Sequence, residues 1–327
     1  MSPVKKVLVI GGAGFIGSHM VYWLARHGVD VVVVDNLSSG HKNAVLAGQF
    51  VYGDIADRML LDKVFSQHQF DAVMHFASYI QVGESVQDPA KYYQNNVVNT
   101  LNLLNTMAAH GVRQFIFSST AAIFGEPLTE QIAESHPKQP LNPYGWSKLI
   151  IEQVLADYEQ AYGMRSVCLR YFNAAGAEPS GVLAERHDPE THLIPVLLQA
   201  AAGRRAHLQV FGRDYATPDG TCIRDYIHVQ DLIQAHWLAL HYLAEGGESD
   251  SFNLGSSQGF SVQQVIDAVK QVTHKPIAIV DAPRRAGDPA VLVADARKIK
   301  QKLAWQPQYT DLNLMVKHAW QACAAFA

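Results

Sequence analysis

Short, uninterrupted runs of apolar and mostly β-branched residues recur through the first half of the chain and alternate with segments of helical spacing. Runs of this kind are typical of strands that are buried on both faces of a sheet, and their alternation with helices indicates a parallel sheet. The candidate strands are Val7–Ile10, Val29–Val34, Phe50–Gly53, Ala72–Phe76, Phe115–Phe117 and Ser166–Tyr171. The candidate helices are Phe15–Arg26, Val97–His110 and Ser147–Tyr162. We therefore predict an α/β fold built on a doubly wound parallel sheet.

The pattern changes near Ala174, where loops lengthen, prolines become frequent and strands become sparse. The remaining candidate strands are Leu208–Phe211, Ile223–Val229, Ser251–Leu254 and Ile277–Val280. The remaining candidate helices are Val229–Ala244 and Ser261–Val272. We predict a first domain of residues 1–178 and a smaller mixed α/β lobe of residues 179–327, with some later segments returning to the first domain.

A glycine-rich turn joins the first candidate strand to the first candidate helix. Gly11, Gly14 and Gly17 lie in this turn, where glycines allow a pyrophosphate to approach backbone N–H groups at the helix N-terminus. Asp35 ends the second strand, where a carboxylate accepts hydrogen bonds from ribose hydroxyls and repels a 2′-phosphate. The turn predicts a Rossmann-like site that prefers NAD to NADP. The alternative is a doubly wound domain that binds no dinucleotide.

Two further pairs of residues follow neighbouring strands. Asp54-Ile55 comes after the third strand, where an adenine would lie, and Phe76-Ala77 comes at the end of the fourth, beneath the middle of the cofactor. Ligands of open α/β sheets collect at the carboxyl ends of the strands. Taken singly, each of these residues is explained equally well as an ordinary polar or apolar residue at a strand end. Only their position favours a role in cofactor binding.

Tyr144 and Lys148 have the spacing of one helical turn, so a helix places both side chains on one face. A tyrosine that acts as a base near neutral pH needs a pKa about three units below its usual value, which is about 4 kcal/mol. A neighbouring ammonium and an oxidised nicotinamide supply positive charge of the right sign. Ser118, Ser119 and Thr120 end the preceding strand and offer a hydroxyl. Together, the hydroxyl, the tyrosine and the lysine favour proton-coupled hydride transfer at a carbinol. Taken separately, the tyrosine and lysine also fit an exposed helix, and the hydroxyl residues also fit a capped loop.

Composition excludes several other classes of protein. Of the 327 residues, 48% are hydrophobic and 17% are charged, which is typical of a globular chain. The net charge of −4 argues against a nucleic-acid partner. Cys168, Cys222 and Cys323 are too far apart for a disulfide framework or a zinc site, so we predict no metal site and a reducing, cytoplasmic setting. No apolar run reaches the length of about 18 residues that predicts a membrane span.

Longer stretches of the chain resemble the extended short-chain dehydrogenase/reductase family, and within it the UDP-glucose 4-epimerases. They cover nearly the whole chain and read GGAGFIGSH, VVDNLSSG, HFAS, VGES, YYQNNVVNTLNLL, FIFSSTAAIFGE, NPYGWSK, LRYFNAAGA, VFGRDYATPDGTCIRDYIHVQDL, FNLGS and RRAGDPA. The stretch through RDYIHV is more specific than the glycine turn. The resemblance implies an isomerase that binds NAD and a UDP-sugar, oxidises the sugar transiently at C4, lets the 4-keto sugar rotate and returns the hydride to its opposite face.

The resemblance also implies roles for individual residues. Tyr144 is the expected base, Lys148 its partner, and Thr120 the hydroxyl that orients the sugar. The expected cofactor-binding residues are Gly11, Gly14, Phe15, Ile16, Gly17, Asp35, Asn36, Asp54, Ile55, Phe76, Ala77, Asn95, Ser118, Tyr144, Lys148, Tyr171 and Phe172. The expected substrate-binding residues are Thr120, Tyr144, Asn173, His192, Leu193, Phe211, Arg224, Arg285, Asp288 and Leu292. A planar guanidinium suits a substrate pyrophosphate, although Arg224 beside Asp225 also fits a local ion pair.

The sequence departs from the family pattern at four positions. Thr120 stands where many relatives carry serine, and the hydroxyl is kept. Ile80 lies where some members have lysine, which removes one expected phosphate contact, and His192 lies where some have asparagine. Leu292 stands where residue size is thought to control access for an N-acetyl group, and strict glucose/galactose enzymes carry the larger tyrosine. N-acetylated substrates therefore stay open.

Rival functions on the same fold also stay open at this point. One is another NAD-dependent UDP-sugar epimerase, for N-acetylhexosamines or pentoses. A second is a nucleotide-sugar dehydratase, which places an acid pair after the hydroxyl where this chain has Ala121-Ala122. A third is a non-enzymatic NAD-sensing protein, against which the intact Thr120, Tyr144 and Lys148 argue. Relatives pair two helices per subunit, so the resemblance implies a homodimer through residues 92–110 and 147–162. We predict no membrane partner.

Overall fold

The structure is a computed structural model that describes residues 4–285 and 288–325, so Ala286 and Gly287 of the RRAGDPA stretch lie outside it. The strands of the described residues are β1 (Lys6–Ile10), β2 (Asp30–Asp35), β3 (Gln49–Tyr52), β4 (Ala72–His75), β5 (Gln114–Thr120), β6 (Arg165–Tyr171), β7 (Asn173–Ala175), β8 (Leu208–Phe211), β9 (Ile223–His228), β10 (Asp250–Leu254), β11 (Gly259–Ser261), β12 (Ile279–Ala282) and β13 (Val291–Leu292). The α-helices are α1 (Phe15–Arg26), α2 (Arg58–Gln67), α3 (Val82–Gln87), α4 (Pro89–Tyr93), α5 (Thr100–Ala109), α6 (Pro143–Tyr162), α7 (Leu193–Ala201), α8 (Val229–Ala244), α9 (Val262–Thr273), α10 (Arg297–Leu303) and α11 (Leu312–Ala325).

A seven-stranded sheet in the order β10-β6-β5-β4-β1-β2-β3 carries the first half of the fold. The pairings of β1 with β2 and β4, of β2 with β3 and of β4 with β5 are all parallel. The strand order runs outward in both directions from β1 and β4, and this reversal is where open α/β sheets bind ligands. Alternation of sheet and helix buries apolar side chains such as Leu8, Val73 and Phe115 completely. The predicted α/β fold is therefore confirmed.

Contact clustering divides the chain into two compact units. The first takes in the described parts of Met1–Gly125, Pro137–Arg170 and Ile233–Phe252, and the second takes in those of Glu126–His136, Tyr171–Leu232 and Asn253–Ala327. The predicted domain boundary at residue 178 stays a prediction. The strand predicted at Ser251–Leu254 corresponds to β10, which forms an edge of the seven-stranded sheet.

The second unit contains two small sheets. One has the order β11-β9-β13 with β7 also paired to β9, and the other pairs β12 with β8. β9 pairs antiparallel with β11 and parallel with β7 and β13, so this unit mixes strand directions. Its core is formed by buried side chains from α7, α9 and α11, including Leu197, Ile266 and Met315. No helix within the described residues combines the length and the apolar character needed to cross a bilayer.

Helix α6 begins earlier than its apolar pattern predicts. Asn142 caps it, because its side-chain oxygen accepts a hydrogen bond from Gly145 N at 2.9 Å, and Pro143 occupies the first turn. Both are favoured residues for a helix start. The helix therefore starts at Pro143 rather than Ser147, which places Tyr144 in its first turn and Lys148 one turn further on.

Candidate active site

The turn between β1 and α1 leaves no room for side chains at two of its glycines. Gly11 has a φ of +76°, and a Cβ there would lie 2.5 Å from the backbone nitrogen of Ala77. A Cβ on Gly17 would lie 2.1 Å from the carbonyl oxygen of Gly11. Gly14 is the N-cap of α1 and offers no side chain to the first-turn N–H groups. The helix therefore presents its N-terminal N–H groups in a close-fitting cradle that suits an anionic group.

A cavity opens at the carboxyl ends of β1, β2 and β4. Nine of the predicted cofactor-binding residues line it, namely Gly11, Gly14, Asp35, Asn36, Asp54, Ile55, Phe76, Ala77 and Asn95. Phe15, Ile16 and Gly17 form the first turn of α1 beside it. Ile80, where some family members have lysine, is 38% exposed and offers no charge. The predicted residues therefore come together from the glycine turn, the ends of β2, β3 and β4, and the segment before α5.

Asp35 is held in place by the backbone. Its Oδ2 accepts from Ala13 N at 2.8 Å and its Oδ1 from Leu37 N at 2.8 Å, and the residue is buried. Burial raises the pKa of this carboxyl group, and the two backbone hydrogen bonds oppose that rise. Beside it, Asn36 Nδ2 donates to Asp54 Oδ2 at 2.6 Å. A fixed carboxylate at this strand end has the position and chemistry to bind ribose hydroxyls.

We expect Gly17→Ala to lower the NAD content of the purified protein by about tenfold or more, which corresponds to about 1.4 kcal/mol. The added methyl group meets the backbone carbonyl of Gly11, which cannot move without distorting the cradle. Gly83→Ala is the matched control, because its added Cβ has no atom within 4 Å. The measurement is the NAD released from each purified variant per mole of chain. Equal NAD content in both variants would contradict the assignment of the cradle.

Thr120, Tyr144 and Lys148 meet where β5 ends and α6 begins. The hydroxyl groups of Thr120 and Tyr144 are hydrogen-bonded to each other. Lys148 is buried, and its Nζ donates to Ser78 Oγ at 2.6 Å and to the carbonyl oxygen of Ser118 at 2.8 Å. The structure thus brings the three predicted catalytic residues to one place within the first unit.

The neighbouring hydroxyl of Ser119 has a different partner. Ser119 Oγ donates to Glu152 Oε1 at 2.6 Å, and Arg170 forms a two-pronged ion pair with the same carboxylate at 2.9 and 2.7 Å. Both charged side chains are buried, 2% exposed for Arg170 and 8% for Glu152. This bidentate pair fastens α6 to β5 and β6. Of the three hydroxyls that end β5, the one bonded to Tyr144 is that of Thr120.

The electrostatics of the site differ from the expectation for Tyr144. Burial raises the pKa of Tyr144 above its usual value, and the hydrogen bond from Thr120 only partly offsets the rise. Burial also lowers the pKa of Lys148 to about 7, and burial together with Lys148 lowers the pKa of His75 to about 3. The protein alone therefore does not lower the pKa of the tyrosine. Positive charge from an oxidised nicotinamide would favour the phenolate and is the remaining source.

Two residues outside the predicted site set, Asn96 and Ser78, hold the reacting groups in position. Asn96 is buried, and its Nδ2 donates to Ser147 Oγ at 3.1 Å and to the carbonyl oxygen of Tyr79 at 3.0 Å. Ser147 in turn donates to the carbonyl oxygen of Tyr144 at 2.7 Å, so Asn96 fixes the first turn of α6. Ser78 holds the Lys148 ammonium. Their only sequence signal was their place beside Asn95 and Ala77, two residues already assigned to the cofactor.

In the second unit, the predicted substrate-binding residues form two charged clusters. Arg224 Nη2 donates to Asp288 Oδ1, and Leu292 in β13 is in register with Arg224 in β9. The Arg285 guanidinium lies 4.0 Å from the centre of the Phe211 ring, in cation–π contact. Arg224 therefore pairs with Asp288, and the alternative of a local ion pair between Arg224 and Asp225 is wrong.

The remaining predicted residues also belong to the second unit. Asn173 Nδ2 donates to the carbonyl oxygen of Asp225 at 3.0 Å, and Phe172 N donates to that of Leu254 at 3.1 Å. Tyr171 ends β6 and is buried. His192 is the N-cap residue of α7 and Leu193 is its first residue.

A dinucleotide fits the residues of the first unit. The cradle admits no Cβ at Gly11 or Gly17, the N-terminus of α1 meets no capping side chain, and Asp35 lies in the same cavity. Pyrophosphate would be held by the turn, and a ribose by Asp35. Lys148 and Tyr144 would lie toward the reactive end, since they follow β5, on the far side of β4 from β1.

Comparison with known proteins agrees with this geometry. Residues 7–255 match the model of the NAD dependent epimerase/dehydratase family. A protein of Halalkalibacterium halodurans named UDP-glucose 4-epimerase is 52% identical over 96% of this chain and 94% of its own length. The crystal structure of UDP-glucose 4-epimerase from Brucella ovis in complex with NAD is 49% identical, with a TM-score of 0.95 over 97% of both chains. The UDP-Glc/GlcNAc 4-epimerase from Campylobacter jejuni is 47% identical, with a TM-score of 0.86 over 98% of this chain and 99% of that one. This chain belongs to the NAD dependent epimerase/dehydratase family.

Proposed function

We propose that this protein is an NAD-dependent UDP-glucose 4-epimerase, an isomerase that interconverts UDP-glucose and UDP-galactose. The observation that carries the proposal is the arrangement of Thr120, Tyr144 and Lys148 at the end of β5, beside the glycine cradle, in a family member 52% identical to a protein of that name. The same strand end continues as Ala121-Ala122, without the acid pair of a dehydratase.

NAD bound at the cradle would supply a reversible hydride acceptor, so that the sugar can pass through a ketone at C4 without net oxidation. Tyr144 takes the proton from the 4-hydroxyl group and later returns it to the oxygen at C4. Thr120 orients that hydroxyl through its bond to the tyrosine. Lys148, held by Ser78 and the Ser118 carbonyl, keeps positive charge close to the tyrosine and binds the nicotinamide ribose.

The substrate's UDP end is proposed to bind the second unit. Arg224 and Arg285 offer planar, permanently charged groups for the pyrophosphate, and Phe211 offers an aromatic face. Binding energy far from C4 leaves the sugar free to turn between the two hydride transfers. Asn173, His192, Leu193, Asp288 and Leu292 complete the proposed substrate set.

The direct test uses the full chain purified without added NAD. Its NAD content is measured first, and the protein is then given UDP-galactose with no cofactor in the buffer. The proposal predicts UDP-glucose formation over many turnovers with no build-up of NADH. A dehydratase would instead release water and yield a 4-keto-6-deoxy sugar, which mass spectrometry separates. Protein that carries NAD but converts neither sugar into the other would refute the proposal.

We expect Arg224→Lys to raise the KM for UDP-galactose by about tenfold with a smaller change in kcat. A lysine keeps the charge but loses the planar fork that binds Asp288 and the proposed pyrophosphate. Arg213→Lys is the control, since Arg213 is an exposed arginine of the same unit that contacts Asp281 and Gln263. Steady-state kinetics of both variants test the prediction, and an unchanged KM in Arg224→Lys would remove Arg224 from the substrate site.

Substrate range, assembly and location complete the proposal. UDP-N-acetylgalactosamine assayed beside UDP-galactose tests whether Leu292 admits the larger sugar.

We infer a homodimer through residues 92–110 and α6, where Val98 and Trp146 are 43% and 44% exposed. Sedimentation measures the mass of the assembly. The three cysteines are free, and a reducing cytoplasm fits them.

A further inference from the structure

Four metal-binding side chains converge in the segment that precedes α7. Glu185, His187, Glu190 and His192 each offer one ligand atom, and these atoms all lie within 4.8 Å of one another. They follow a Glu-x-His-x-x-Glu-x-His pattern that the sequence analysis did not recognise, because it searched the cysteines for a metal site. All four belong to the second compact unit.

The four histidine–carboxylate distances within this cluster are close to those around a tetrahedral ion. His187 Nδ1 lies 3.2 Å from Glu185 Oε1 and 3.6 Å from Glu190 Oε2, and His192 Nδ1 lies 2.8 and 3.2 Å from Glu185 Oε1 and Glu190 Oε1. A four-coordinate zinc ion with ligands at about 2.0–2.1 Å has ligand atoms about 3.3 Å apart. The four measured separations lie on both sides of that value.

The two ring nitrogens lack ordinary partners. The Nδ1 atoms of His187 and His192 are buried, and neither makes a hydrogen bond of good geometry with any residue of the described chain. Each nevertheless points toward carboxylates whose side chains are 6% exposed for Glu185 and 2% for Glu190. Buried polar atoms without hydrogen bonds are costly, and ligation of a cation would satisfy both nitrogens.

The cluster also carries uncompensated negative charge when its histidines are neutral. Two buried carboxylates are unfavourable without a cation. Either two imidazolium protons or one divalent cation can supply the charge. A cavity of about 340 Å³, bordered by Glu185, His187 and Glu190, gives an ion a path to the cluster.

We propose that Glu185, His187, Glu190 and His192 form a structural zinc site that fixes the segment leading into α7. Two imidazole nitrogens and two carboxylate oxygens are a ligand set that zinc favours, whereas magnesium and calcium prefer oxygen alone. Ligation through Nδ1 places the remaining ring proton on Nε2 of each histidine. His192 also belongs to the proposed substrate set, so the zinc site borders the proposed substrate site, but it takes no part in the proposed proton and hydride transfers.

The experiment measures metal binding by the full chain, purified without a histidine tag. Dialysis against Zn²⁺ and then against metal-free buffer is expected to leave about one zinc per chain by elemental analysis, and Mg²⁺ is expected to leave none. Co²⁺ in place of zinc is expected to give the visible absorption of a four-coordinate ion. Zinc is also expected to raise Tm by a few degrees.

Two variants and a control decide the outcome. His187→Gln and Glu190→Gln are each expected to retain less than about a tenth of an equivalent of zinc and to lose the zinc-dependent rise in Tm. His207→Gln, at an exposed position in the same unit, is expected to behave as the unchanged chain. Folding of the variants is checked by circular dichroism. The proposal is overturned if the unchanged chain retains no zinc, since the cluster would then be a network of ion pairs with protonated histidines. It is also overturned if a folded His187→Gln or Glu190→Gln variant retains a full equivalent of zinc.

Discussion

Tyr144→Phe is expected to lower kcat for the interconversion of UDP-galactose and UDP-glucose by about 10²–10⁴-fold, the usual range for loss of a general acid–base group. The phenyl ring keeps the shape of the side chain, but no hydroxyl remains to exchange a proton with the sugar or to bond with Thr120. The NAD content should be unchanged, because the cradle and Asp35 do not depend on this hydroxyl. The experiment pairs steady-state kinetics with the amount of NAD released.

Tyr162→Phe is the control for this substitution. Tyr162 lies on the same helix, loses the same hydroxyl and is 50% exposed. It should therefore turn over as the unchanged protein does. Full turnover by Tyr144→Phe would remove the tyrosine from the chemistry, whereas loss of NAD together with turnover would indicate a damaged fold.

Asp225→Ala is expected to lower the free energy of unfolding by about 3–5 kcal/mol. The Asp225 carboxylate is completely buried, and Oδ1 accepts from the backbone nitrogen and the hydroxyl of Ser256 at 2.7 Å each. Oδ2 accepts from Ser257 N at 3.0 Å and Ala294 N at 3.1 Å. Truncation removes the acceptor of three backbone N–H groups and of the Ser256 hydroxyl, and of these four donors the hydroxyl has a second acceptor, the carbonyl oxygen of Gln258 at 3.2 Å. Urea unfolding of the full chain, followed by tryptophan fluorescence, measures the loss.

Asp267→Ala removes the same charge from an exposed position on α9 and should change stability by less than about 0.5 kcal/mol. Asp225→Asn removes the titrating group and keeps an acceptor for one pair of donors only, because an amide nitrogen cannot accept from Ser257 N and Ala294 N. Burial raises the pKa of Asp225 to about 6, although its four hydrogen bonds oppose the rise. Between these values the folded state therefore keeps a proton that the unfolded state, with the usual aspartate pKa of 3.8, has released.

The sign of the resulting pH dependence follows from that difference. This group's contribution to stability is fully present below pH 3.8 and is lost as the pH rises through about 6. The loss amounts to about 3 kcal/mol, since one pKa unit corresponds to about 1.4 kcal/mol. In Asp225→Asn this part of the pH dependence should disappear. An unchanged slope between pH 4 and 6 in the asparagine variant would show that another group titrates.

Local patterns predicted the parts of the site that depend on neighbours in sequence. The glycine turn, Asp35 and the helical spacing of Tyr144 and Lys148 are of this kind, since strand ends and helix faces follow from short-range geometry. The start of α6 was wrong by one turn, because the apolar pattern outweighed the Asn142-Pro143 capping signal.

Pairings between distant segments could not be predicted. Lys148 finds Ser78 across 70 residues, and Asp225 finds Ala294 across 69. The partner of a polar side chain depends on which strands become neighbours in the sheet. The chemistry of one residue does not specify which strands those are. For the same reason the sheet that β10 joins could not be predicted, since an apolar run does not indicate the strand beside which it will lie.

The position of β10 has a consequence for the order of synthesis. The edge strand of the seven-stranded sheet comes from Asp250–Leu254, long after β6, its neighbour, has been made. Until the ribosome has released these residues, β6 is an open edge with unpaired backbone groups, which is a common starting point for aggregation. A nascent chain, or a fragment cut near residue 178, therefore presents that edge to other chains, and only the nearly complete polypeptide can close it.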